Sequence, residues 1–451
     1  MARSFDPIQL SEFARYYGFH YDICDPETLM QDIKIDMDRG LRGQSSSLPM
    51  LPSYLSPVSR VPPGKTVIAL DAGGTNLRAA LVHFDENGKT VAEGTRKTYM
   101  PGTQGRVNAE QFFDAIADLT APFLQEAKNL EGIGFCFSYP MEMTKDSDGI
   151  LIGFSKEVDA PDVIGKAIGA GLREALARKG VTPPERIVLL NDTVAALLSG
   201  LAEIPADAGK RRGEDTYGIE GGPVIGFILG TGINVAYPEK EIPKISFNSD
   251  QPQVVVCEAG NFISRYMGIL DKEYDKTTKN PGAYTFEKAT AGAYLGPLSL
   301  HILKQAVRDN VLKFKKSGEL LSMTTLQTRD LNEFMHAPLT GKGLIAELFG
   351  PDERDALTSL MYLTSIITER AGLMAGTAVA AAVDRVGTGY DPLVPVRVAV
   401  EGTTYVIYKG MREALESYLH ILLNKRTPRS YTISPVEQAS LFGAAVAALS
   451  K

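Results

Sequence analysis

The sequence predicts an α/β fold made of two related halves, and three observations lead to this prediction. Apolar strand patterns at residues 67–70 and 224–229 both run into glycine-rich polar turns, D71-A-G-G-T-N76 and G230-T-G232. Strand and helix patterns alternate through the first half, as expected when helices pack on a sheet. Between about 262 and 390 strand patterns nearly vanish and apolar residues recur at helical spacing, which predicts a helical subdomain on the second half.

The composition narrows the class of protein. A chain of 451 residues exceeds the usual span of one hydrophobic core, which favours two domains or one domain with a large insertion. With 44% hydrophobic and 22% charged residues, the chain has the balance of a soluble globular enzyme. Its formal net charge of -7 gives no general attraction to nucleic acid or to an anionic membrane. The sequence leaves the oligomeric state open.

Cysteine usage and the first residues favour a cytoplasmic protein. Cys24, Cys136 and Cys257 lie far apart and form no C-x-x-C pair, which is typical of reduced thiols. The N-terminal stretch M-A-R-S-F-D-P lacks the apolar core of a signal peptide. The 5 histidines form no cluster with cysteine, so a zinc site has little support.

The first elements follow from local patterns. Residues 1–42 predict a helical extension, and the prolines of the stretch 45–64 exclude regular helix, so that stretch is a connector. Strands are expected at 67–70 and 77–84, and Asn87-Gly88 predicts a hairpin turn after them. A meander of strands therefore follows the first glycine turn.

The alternation of strand and helix continues to about residue 200. Helical spacing of apolar residues predicts a helix over 109–128, and apolar runs predict strands at 132–138 and 187–190. A helix is expected directly after the second of these strands. The charged segment 209–215 predicts a solvated loop.

Three elements complete the second half. The small-residue segment 371–383 is bounded by charged residues and is too short to span a bilayer, so it predicts a buried helix. A strand is expected at 396–400. Ser434 as the N-cap and Pro435 as the first helical residue predict a last helix over 434–450.

The first glycine turn has the composition of a phosphate-binding loop. Gly73 and Gly74 allow backbone N–H groups to approach a phosphate, and Thr75 and Asn76 add short polar side chains. Asp71, just before the glycines, is expected to hold magnesium through water. An ordinary β-turn is the alternative, because Gly-Gly is a common turn signal.

Two further Gly/Thr turns follow apolar strands. Gly230, Thr231 and Gly232 form one, and Gly402 with Thr403 forms the other. Each alone fits a simple turn. Together with the first turn they suggest a nucleotide held from both halves, because a polyphosphate needs many backbone donors. The chain has no P-loop pattern G-x-x-x-x-G-K-[ST].

Asn191 and Asp192 stand where a strand runs into a helix. An Asn or Asp at this position is commonly a helix cap. The carboxyl ends of strands are also where α/β folds place ligands, and an Asp there can accept a proton from a substrate hydroxyl during phosphoryl transfer. Both interpretations stay open on the residues alone.

Taken together, these motifs resemble the hexokinase/glucokinase family of ATP-dependent sugar kinases, within the actin-like ATPase superfamily. The resemblance covers most of the chain, and the motifs occur in the order that the family shows. The matching stretches are S46-S-L-P-M-L-P-S-Y54, L70-D-A-G-G-T-N-L-R78, F137-S-Y-P140, S155-K156, L190-N-D-T193, G230-T-G-I-N234, C257-E258, F286-E-K288, Y294-L-G296, V398-A-V-E-G-T403 and S440-L-F-G-A-A445.

The resemblance implies two actin-like, ribonuclease H-like domains that flank a cleft, with helical insertions in the larger one. The small domain would span residues 54–190, with 433–451 returning to it. The large domain would span 191–432, with 1–53 packed on it. The implied reaction transfers the γ-phosphoryl group of Mg-ATP to the C6 hydroxyl of glucose, with mannose and fructose as further acceptors.

The resemblance also implies roles for the matched residues. Asp192 would be the general base, Lys156 would stabilise charge on the transferring phosphoryl group, and Asp71 and Asp192 would hold magnesium. The sugar would be bound by Ser138, Tyr139, Ser155, Lys156, Asn191, Asp192, Asn234, Glu258 and Glu287. ATP would be bound by Asp71, Gly73, Gly74, Thr75, Asn76, Gly230, Thr231, Gly232, Gly402 and Thr403.

Four matched motifs depart from the usual family pattern. The chain has S138-Y-P140, S155-K-E157, E258-A-G-N261 and E401-G-T403 where the family usually has S-F-P, T-K-G, E-W-G-A and D-G-S. Tyr139 and Ser155 preserve shape or hydroxyl chemistry, whereas Ala259 and Asn261 change the wall beside Glu258. Other functions therefore stay open: a sugar-sensing regulatory protein with weak catalysis, a kinase of another hexose such as an N-acetylhexosamine, and an actin-like filament protein.

Overall fold

The computed structural model contains two large β-sheets that have similar strand topology. The structure describes residues 5–57, 61–86, 89–127, 129–154, 158–202, 222–245, 251–340, 342–350, 352–425 and 428–450. Two sequence predictions, the Asn87-Gly88 turn and the solvated loop at 209–215, lie outside these residues.

The strands and helices have the following bounds. The strands are β1 Leu51–Pro52, β2 Thr66–Ala72, β3 Asn76–Phe84, β4 Thr90–Tyr99, β5 Leu130–Phe137, β6 Met141–Met143, β7 Gly149–Leu151, β8 Ile187–Leu190, β9 Val224–Leu229, β10 Ile233–Glu239, β11 Gln253–Val256, β12 Val396–Glu401 and β13 Tyr431–Pro435. The helices are α1 Pro7–Tyr17, α2 Pro26–Leu41, α3 Ala109–Glu126, α4 Ile168–Arg178, α5 Asp192–Ala202, α6 Ile269–Lys276, α7 Thr285–Thr290, α8 Leu295–Arg308, α9 Ser317–Ser322, α10 Thr328–His336, α11 Arg354–Val386, α12 Thr403–Ile407, α13 Met411–Asn424 and α14 Ala439–Leu449.

The two large sheets repeat one topology. The first has the order β4-β3-β2-β5-β8, with the first three strands antiparallel and β5 and β8 parallel to β2. The second has the order β1-β11-β10-β9-β12-β13, in which β11, β10 and β9 are antiparallel and β12 and β13 run parallel to β9. The prediction of an α/β fold with two related halves is therefore confirmed.

Strand β2 shows why its apolar run is nearly continuous. Its side chains alternate between two packed faces: Val67 and Ala69 join a core with α5 and α14, whereas Ile68 and Leu70 join a core with α3 and α4. A sheet covered on both faces needs apolar residues at successive positions.

Helices α5 and α14 form a core that the two sheets share. Close packing here depends on glycine. A Cβ atom added to Gly134 of β5 would lie 1.7 Å from the carbonyl oxygen of Ala444, and one added to Gly443 would lie 2.0 Å from that of Ala195. The last helix therefore packs at backbone contact distance against both β5 and α5, and α5 begins at Asp192.

The helical subdomain expected between 262 and 390 is present on the second sheet, where α6 to α11 share one core with α1 and α2. The buried helix predicted at 371–383 is the second part of α11, which has 33 residues. By length and composition α11 could cross a membrane, but 94% of its most apolar window is buried inside the protein. Such burial is typical of a core helix.

The predicted start of the last helix was wrong. Ser434 and Pro435 belong to β13, where they pair in parallel with Ala399 and Val400, and the helix begins at Ala439. A strand at the edge of a sheet tolerates proline, because its missing N–H faces no partner strand. The domain boundaries given above stay a prediction. Strand β13 of the second sheet ends at Pro435, three residues beyond the predicted end of the large domain at 432.

Candidate active site

Three parallel strands of the first sheet end at one edge. Ala72 at the end of β2 pairs with Phe137 at the end of β5, and Cys136 pairs with Leu190 at the end of β8. The residues that follow are the first glycine turn, Ser138 and Asn191-Asp192. The structure therefore brings together three segments that are about 60 and 50 residues apart in the chain, as ligand placement at carboxyl strand ends predicts.

The first glycine turn joins β2 to β3. Gly73 donates its N–H to the carbonyl oxygen of Asn76 at 3.0 Å, and Asn76 Nδ2 donates to Thr75 Oγ1 at 3.0 Å. A Cβ atom added to Gly73 would find no atom closer than 3.8 Å, and Gly73 is not among the residues with positive φ. Neither crowding nor backbone conformation requires glycine at this position, so the bare backbone is open to a ligand.

Asp71 is paired with a residue to which the sequence analysis gave no role. Arg78 lies directly opposite Asp71 in the β2–β3 register. Its Nε and Nη2 both contact Asp71 Oδ2, at 2.8 and 2.5 Å. Asp71 is 2% exposed, and the two contacts from the guanidinium fix the orientation of its carboxylate. The pairing depends on hairpin register, which the sequence pattern did not specify.

Ser138 and Tyr139 reach the first glycine turn from β5. The N–H of Ser138 donates to the carbonyl oxygen of Ala72 at 3.1 Å. The hydroxyl of Tyr139 donates to the carbonyl oxygens of Gly73 and Gly74, at 3.0 and 3.2 Å. Tyr139 therefore contacts the turn that was predicted to bind phosphate. The sequence analysis placed Tyr139 only among the sugar-binding residues.

Asn191 and Asp192 differ in the interpretation that their contacts support, helix cap or catalytic residue. Asn191 Oδ1 accepts the N–H of Val194 at 2.8 Å, so Asn191 is the N-cap of α5. Asp192 is the first residue of that helix, is partly exposed, and accepts a hydrogen bond from Thr193 Oγ1 at 3.2 Å. The capping interpretation is thus confirmed for Asn191, and Asp192 stands beside this cap at the start of the helix.

The second and third Gly/Thr turns lie against each other at the ends of β9 and β12. A Cβ atom added to Gly402 would lie 2.2 Å from the carbonyl oxygen of Leu229, and Gly402 has φ of 134°, so both contact and conformation require glycine there. Thr404 Oγ1 donates to the carbonyl oxygen of Gly230 at 2.8 Å. Thr231 and Thr403 are exposed beside these contacts.

Asn234, Glu258 and Glu287 gather on the second sheet. Asn234 Nδ2 donates to Glu258 Oε1 at 3.0 Å, and Asn234 Oδ1 accepts the N–H of Ala259 at 3.2 Å. Glu287 Oε2 accepts the N–H of Ile233 at 3.2 Å. All three predicted sugar residues of this half therefore lie at the strand that follows the second glycine turn.

The carboxyl groups of both sheets influence one another. Burial raises the pKa of Glu258, and the charge of Asp192 raises it further. Burial raises the pKa of Glu287 to about 7, with added effects of Glu258 and Asp192. The charge of Asp192, on the first sheet, is therefore felt by two carboxyl groups of the second sheet, because charges are weakly screened in a protein interior.

Glu401 is a second residue that the sequence analysis did not include in the site. Burial raises its pKa to about 7, and the charges of Asp192 and Asp71 add to the shift. Its Oε2 atom is buried and has no hydrogen-bond partner among the described residues. The sequence did contain a signal for this residue, because the chain has Glu401 where the family usually has the shorter Asp.

The donor set is compatible with magnesium. Within the described ranges, no group of three or more His, Cys, Asp or Glu residues could hold a metal ion. Magnesium commonly binds through one or two carboxylates together with substrate phosphates and water, and it needs no complete protein cage. Asp71 and Asp192 supply two carboxylates, and both influence the same group, Glu401. Ser155 and Lys156 lie outside the described residues.

A cleft of about 700 Å³ lies next to the second glycine turn, between α6, α8 and residues 324–329. Its wall includes Gly292 and Ala293, whose N–H groups donate to the carbonyl oxygens of Gly230 and Thr231 at 2.8 and 3.1 Å. The volume is in the usual range for small-molecule sites. The cleft is therefore a space adjoining the turn, and its described wall does not include Asn234, Glu258 or Glu287.

Comparison with known proteins places the chain among sugar kinases. One family model described as hexokinase matches residues 224–450, and a second with the same description matches residues 16–202. Hexokinase-7 of Oryza sativa subsp. japonica is 29% identical over 437 aligned positions, and the alignment covers 92% of this chain and 90% of that protein. Hexokinase-1 of Saccharomyces cerevisiae is 28% identical over 464 aligned positions, and the alignment covers 95% of this chain and 90% of that protein.

Solved structures share the fold. A hexokinase from Schistosoma mansoni, complexed with glucose, matches with a TM-score of 0.74 at 24% identity, covering 98% of this chain and 99% of that one. A second crystal structure of a hexokinase matches with a TM-score of 0.71 at 22% identity, covering 99% and 97%. The predicted fold class, two actin-like halves flanking a cleft, is thereby confirmed.

Proposed function

The chain belongs to the hexokinase family of ATP-dependent sugar kinases, and on this premise we propose that it transfers the γ-phosphoryl group of Mg-ATP to the C6 hydroxyl of glucose. Mannose and fructose are further acceptors in this proposal, and the product would enter glycolysis in the cytoplasm. Family membership carries the class of reaction. The acceptor, the position of transfer and the roles of single residues are the proposal.

One observation supports the assignment most strongly. The charge of Asp192 raises the pKa of Glu258 and Glu287 on the second sheet. It also raises the pKa of Glu401, as does the charge of Asp71. A general base for phosphoryl transfer must reach the acceptor hydroxyl and stand next to the phosphates. Asp192 begins α5 directly after β8, at the same end of the sheet as the first glycine turn, and this position supports its assignment as the base.

In the proposed reaction Asp192 accepts the proton of the C6 hydroxyl. The C6 oxygen then forms a bond to the γ-phosphorus, the bond between that phosphorus and the β–γ bridging oxygen breaks, and ADP leaves. Lys156 would stabilise the charge on the transferring group. Since the reaction needs few covalent events from the protein, most of the catalysis would come from positioning the two substrates.

The sugar would be held from both sheets. Asn234, Glu258 and Glu287 would face it from the second sheet, and Ser138, Asn191 and Ser155 from the first, with Tyr139 beside Ser138. A hexose presents hydroxyl groups around its ring and needs short polar partners on several sides. With its pKa near 7, the carboxyl of Glu287 can act as hydrogen-bond donor or acceptor around neutral pH.

The nucleotide would lie across the glycine turns. Gly73, Gly74, Thr75 and Asn76 would contact the phosphates from the first sheet and Gly230, Thr231 and Gly232 from the second, with Gly402 and Thr403 on the adenosine side. Asp71 and Asp192 would hold magnesium, which when bound neutralises phosphate charge. The cleft that Gly292 and Ala293 border offers room for the ribose and base.

An ADP-release assay over a panel of sugars tests this function. The panel contains glucose, mannose, fructose and N-acetylglucosamine, each with Mg-ATP, and phosphorus NMR locates the phosphate on the product. We expect the largest kcat/KM with glucose and a phosphate on C6. A clear preference for N-acetylglucosamine would contradict the proposal and indicate a kinase of another hexose. Glucose binding without ADP release from any sugar would contradict it and indicate a sugar sensor.

A further inference from the structure

Tyr139 links two parts of the site that the sequence keeps apart. Its hydroxyl donates to the carbonyl oxygens of Gly73 and Gly74, at 3.0 and 3.2 Å, about 65 residues away in the chain. The side chain is 4% exposed. Burial raises the pKa of this phenol to about 12, so the hydroxyl keeps its proton and acts as donor at neutral pH.

The ring of Tyr139 is held by its neighbours. Its centroid lies 5.0 Å from that of Phe137 and 5.2 Å from that of Phe154, the latter in a T-shaped arrangement. Aromatic packing of this kind fixes the ring and hence the direction of the hydroxyl. The hydrogen bonds to the two glycines are therefore made from a rigid support.

The two carbonyl oxygens determine where the turn directs its N–H groups. In a planar trans peptide the C=O of one residue and the N–H of the next point in opposite directions. Holding the carbonyls of Gly73 and Gly74 towards Tyr139 directs the N–H groups of Gly74 and Thr75 away from it. Flexible glycines would otherwise let these peptide planes rotate.

We propose that Tyr139 is a positioning residue for the phosphates of ATP, fixing the first glycine turn so that the N–H groups of Gly74 and Thr75 face them. This inference rests on the proposed function, because it assigns the phosphates to that turn. Tyr139 directly follows Ser138, and Phe154 directly precedes Ser155. The contact thus ties the phosphate turn to the segments proposed to bind the sugar.

Tyr139→Phe tests the proposal, because it removes the hydroxyl and keeps the ring. The single hydroxyl proton is shared between the two carbonyl oxygens, so its loss should lower kcat/KM for Mg-ATP by the amount typical of one hydrogen bond, roughly three- to tenfold. The KM for glucose should stay within about twofold, since the sugar ligands are untouched. Amide hydrogen exchange in residues 71–77 should become faster, which confirms a looser turn.

The control is Tyr237→Phe. Tyr237 is likewise buried and donates to Glu239 Oε2 at 3.0 Å, but it lies on β10 of the second sheet, whereas the first glycine turn belongs to the first sheet. Its loss should leave the KM for ATP unchanged. Equal effects of both variants, or equal changes in the KM values for ATP and glucose with Tyr139→Phe, would reduce Tyr139 to a packing residue.

A binding measurement separates this inference from the proposed sugar reaction. Calorimetry with Mg²⁺ and a non-hydrolysable ATP analogue needs no acceptor, so it reports on the turn whichever sugar is used. We expect the Kd to rise roughly three- to tenfold in Tyr139→Phe. An unchanged Kd in this variant overturns the inference, whereas failure of the sugar panel alone overturns only the choice of acceptor.

Discussion

Arg78 and Asp71 face each other across the β2–β3 hairpin, and Arg78 donates from Nε to Asp71 Oδ2 at 2.8 Å. Asp71 is buried, whereas the Arg78 side chain is 40% exposed. An arginine in this position holds the carboxylate in one orientation and partly neutralises it. Asp71 is therefore kept in place next to the first glycine turn, where we assign magnesium and the phosphates.

Replacing Asp71 should mainly impair the use of ATP. We expect Asp71→Ala to raise the KM for Mg-ATP about tenfold or more, because hydrogen bonds and contacts to charged groups contribute about 1.5–3 kcal/mol. Calorimetric glucose affinity without nucleotide should stay within about twofold. Asp85→Ala, in the loop after β3, is the matched control. Collapse of glucose binding with normal ATP affinity would show that the two halves of the site were assigned wrongly.

Glu287 should make stability depend on pH in the direction opposite to a paired carboxylate. Burial raises its pKa from 4.5 to about 7, so the folded protein binds a proton that the unfolded chain has lost between these values. The contribution of Glu287 to stability therefore falls as pH rises through this window, and above it the fold carries a buried charge.

Glu287→Gln should consequently raise Tm at pH 8 by a few degrees and have little effect at pH 5, measured by circular dichroism. The amide oxygen can still accept the N–H of Ile233. Glu174→Gln, on the exposed face of α4, is the control and should shift Tm at neither pH. The same Tm for Glu287→Gln and the parent chain at pH 8 would contradict the buried charge.

The close contact between α14 and α5 should be sensitive to a single methyl group. A Cβ atom at Gly443 would meet the carbonyl oxygen of Ala195 at 2.0 Å, and α5 carries Asp192 at its start. Gly443→Ala should cost about 1–3 kcal/mol of stability and lower kcat. Gly318→Ala is the control, since a Cβ there has no atom within 4 Å. A stable, fully active Gly443→Ala protein would mean that the helices separate without consequence.

Much of the fold was predictable because local sequence patterns determine its strands and helices. The apolar run before Asp71 and the helical spacing after residue 109 indicated β2 and α3, and the two glycine turns indicated the repeated sheet. The start of α14 was missed, because Ser434 and Pro435 have the local chemistry of a helix start. Pairing with β12 at a sheet edge decided their conformation instead.

The site was predictable where a motif carries it and less so where pairing creates it. The strand-end positions of Asp71, Ser138 and Asp192 followed from patterns along the chain. The Asp71–Arg78 pair needed the hairpin register, and the contact of Tyr139 with Gly73 needed β5 beside β2. Burial raises the pKa of Glu401, and the charges that raise it further belong to Asp192 and Asp71, more than 200 positions away in the chain.

Sugar binding should draw the two halves together. Ser138 belongs to the first sheet, and Asn234 and Glu258 belong to the second, so one hexose can touch all three only across the cleft. Closure would also exclude water, which could otherwise accept the phosphoryl group. Because the chain has no tryptophan, small-angle scattering is the suitable method. We expect glucose to lower the radius of gyration, and an unchanged radius at saturating glucose would indicate a preformed cleft.

The most direct test of the account is the turnover of Asp192→Asn on glucose at saturating Mg-ATP. This variant keeps the size of the side chain and removes its ability to accept a proton, and loss of a general base typically lowers the rate about 10²–10⁴-fold. Asp355→Asn makes the same change in the first turn of α11 and should leave turnover intact. We expect kcat of Asp192→Asn to fall by at least about 100-fold, and the calorimetric affinity for the ATP analogue to fall much less. Turnover near that of the parent chain would contradict the role of Asp192 as the base.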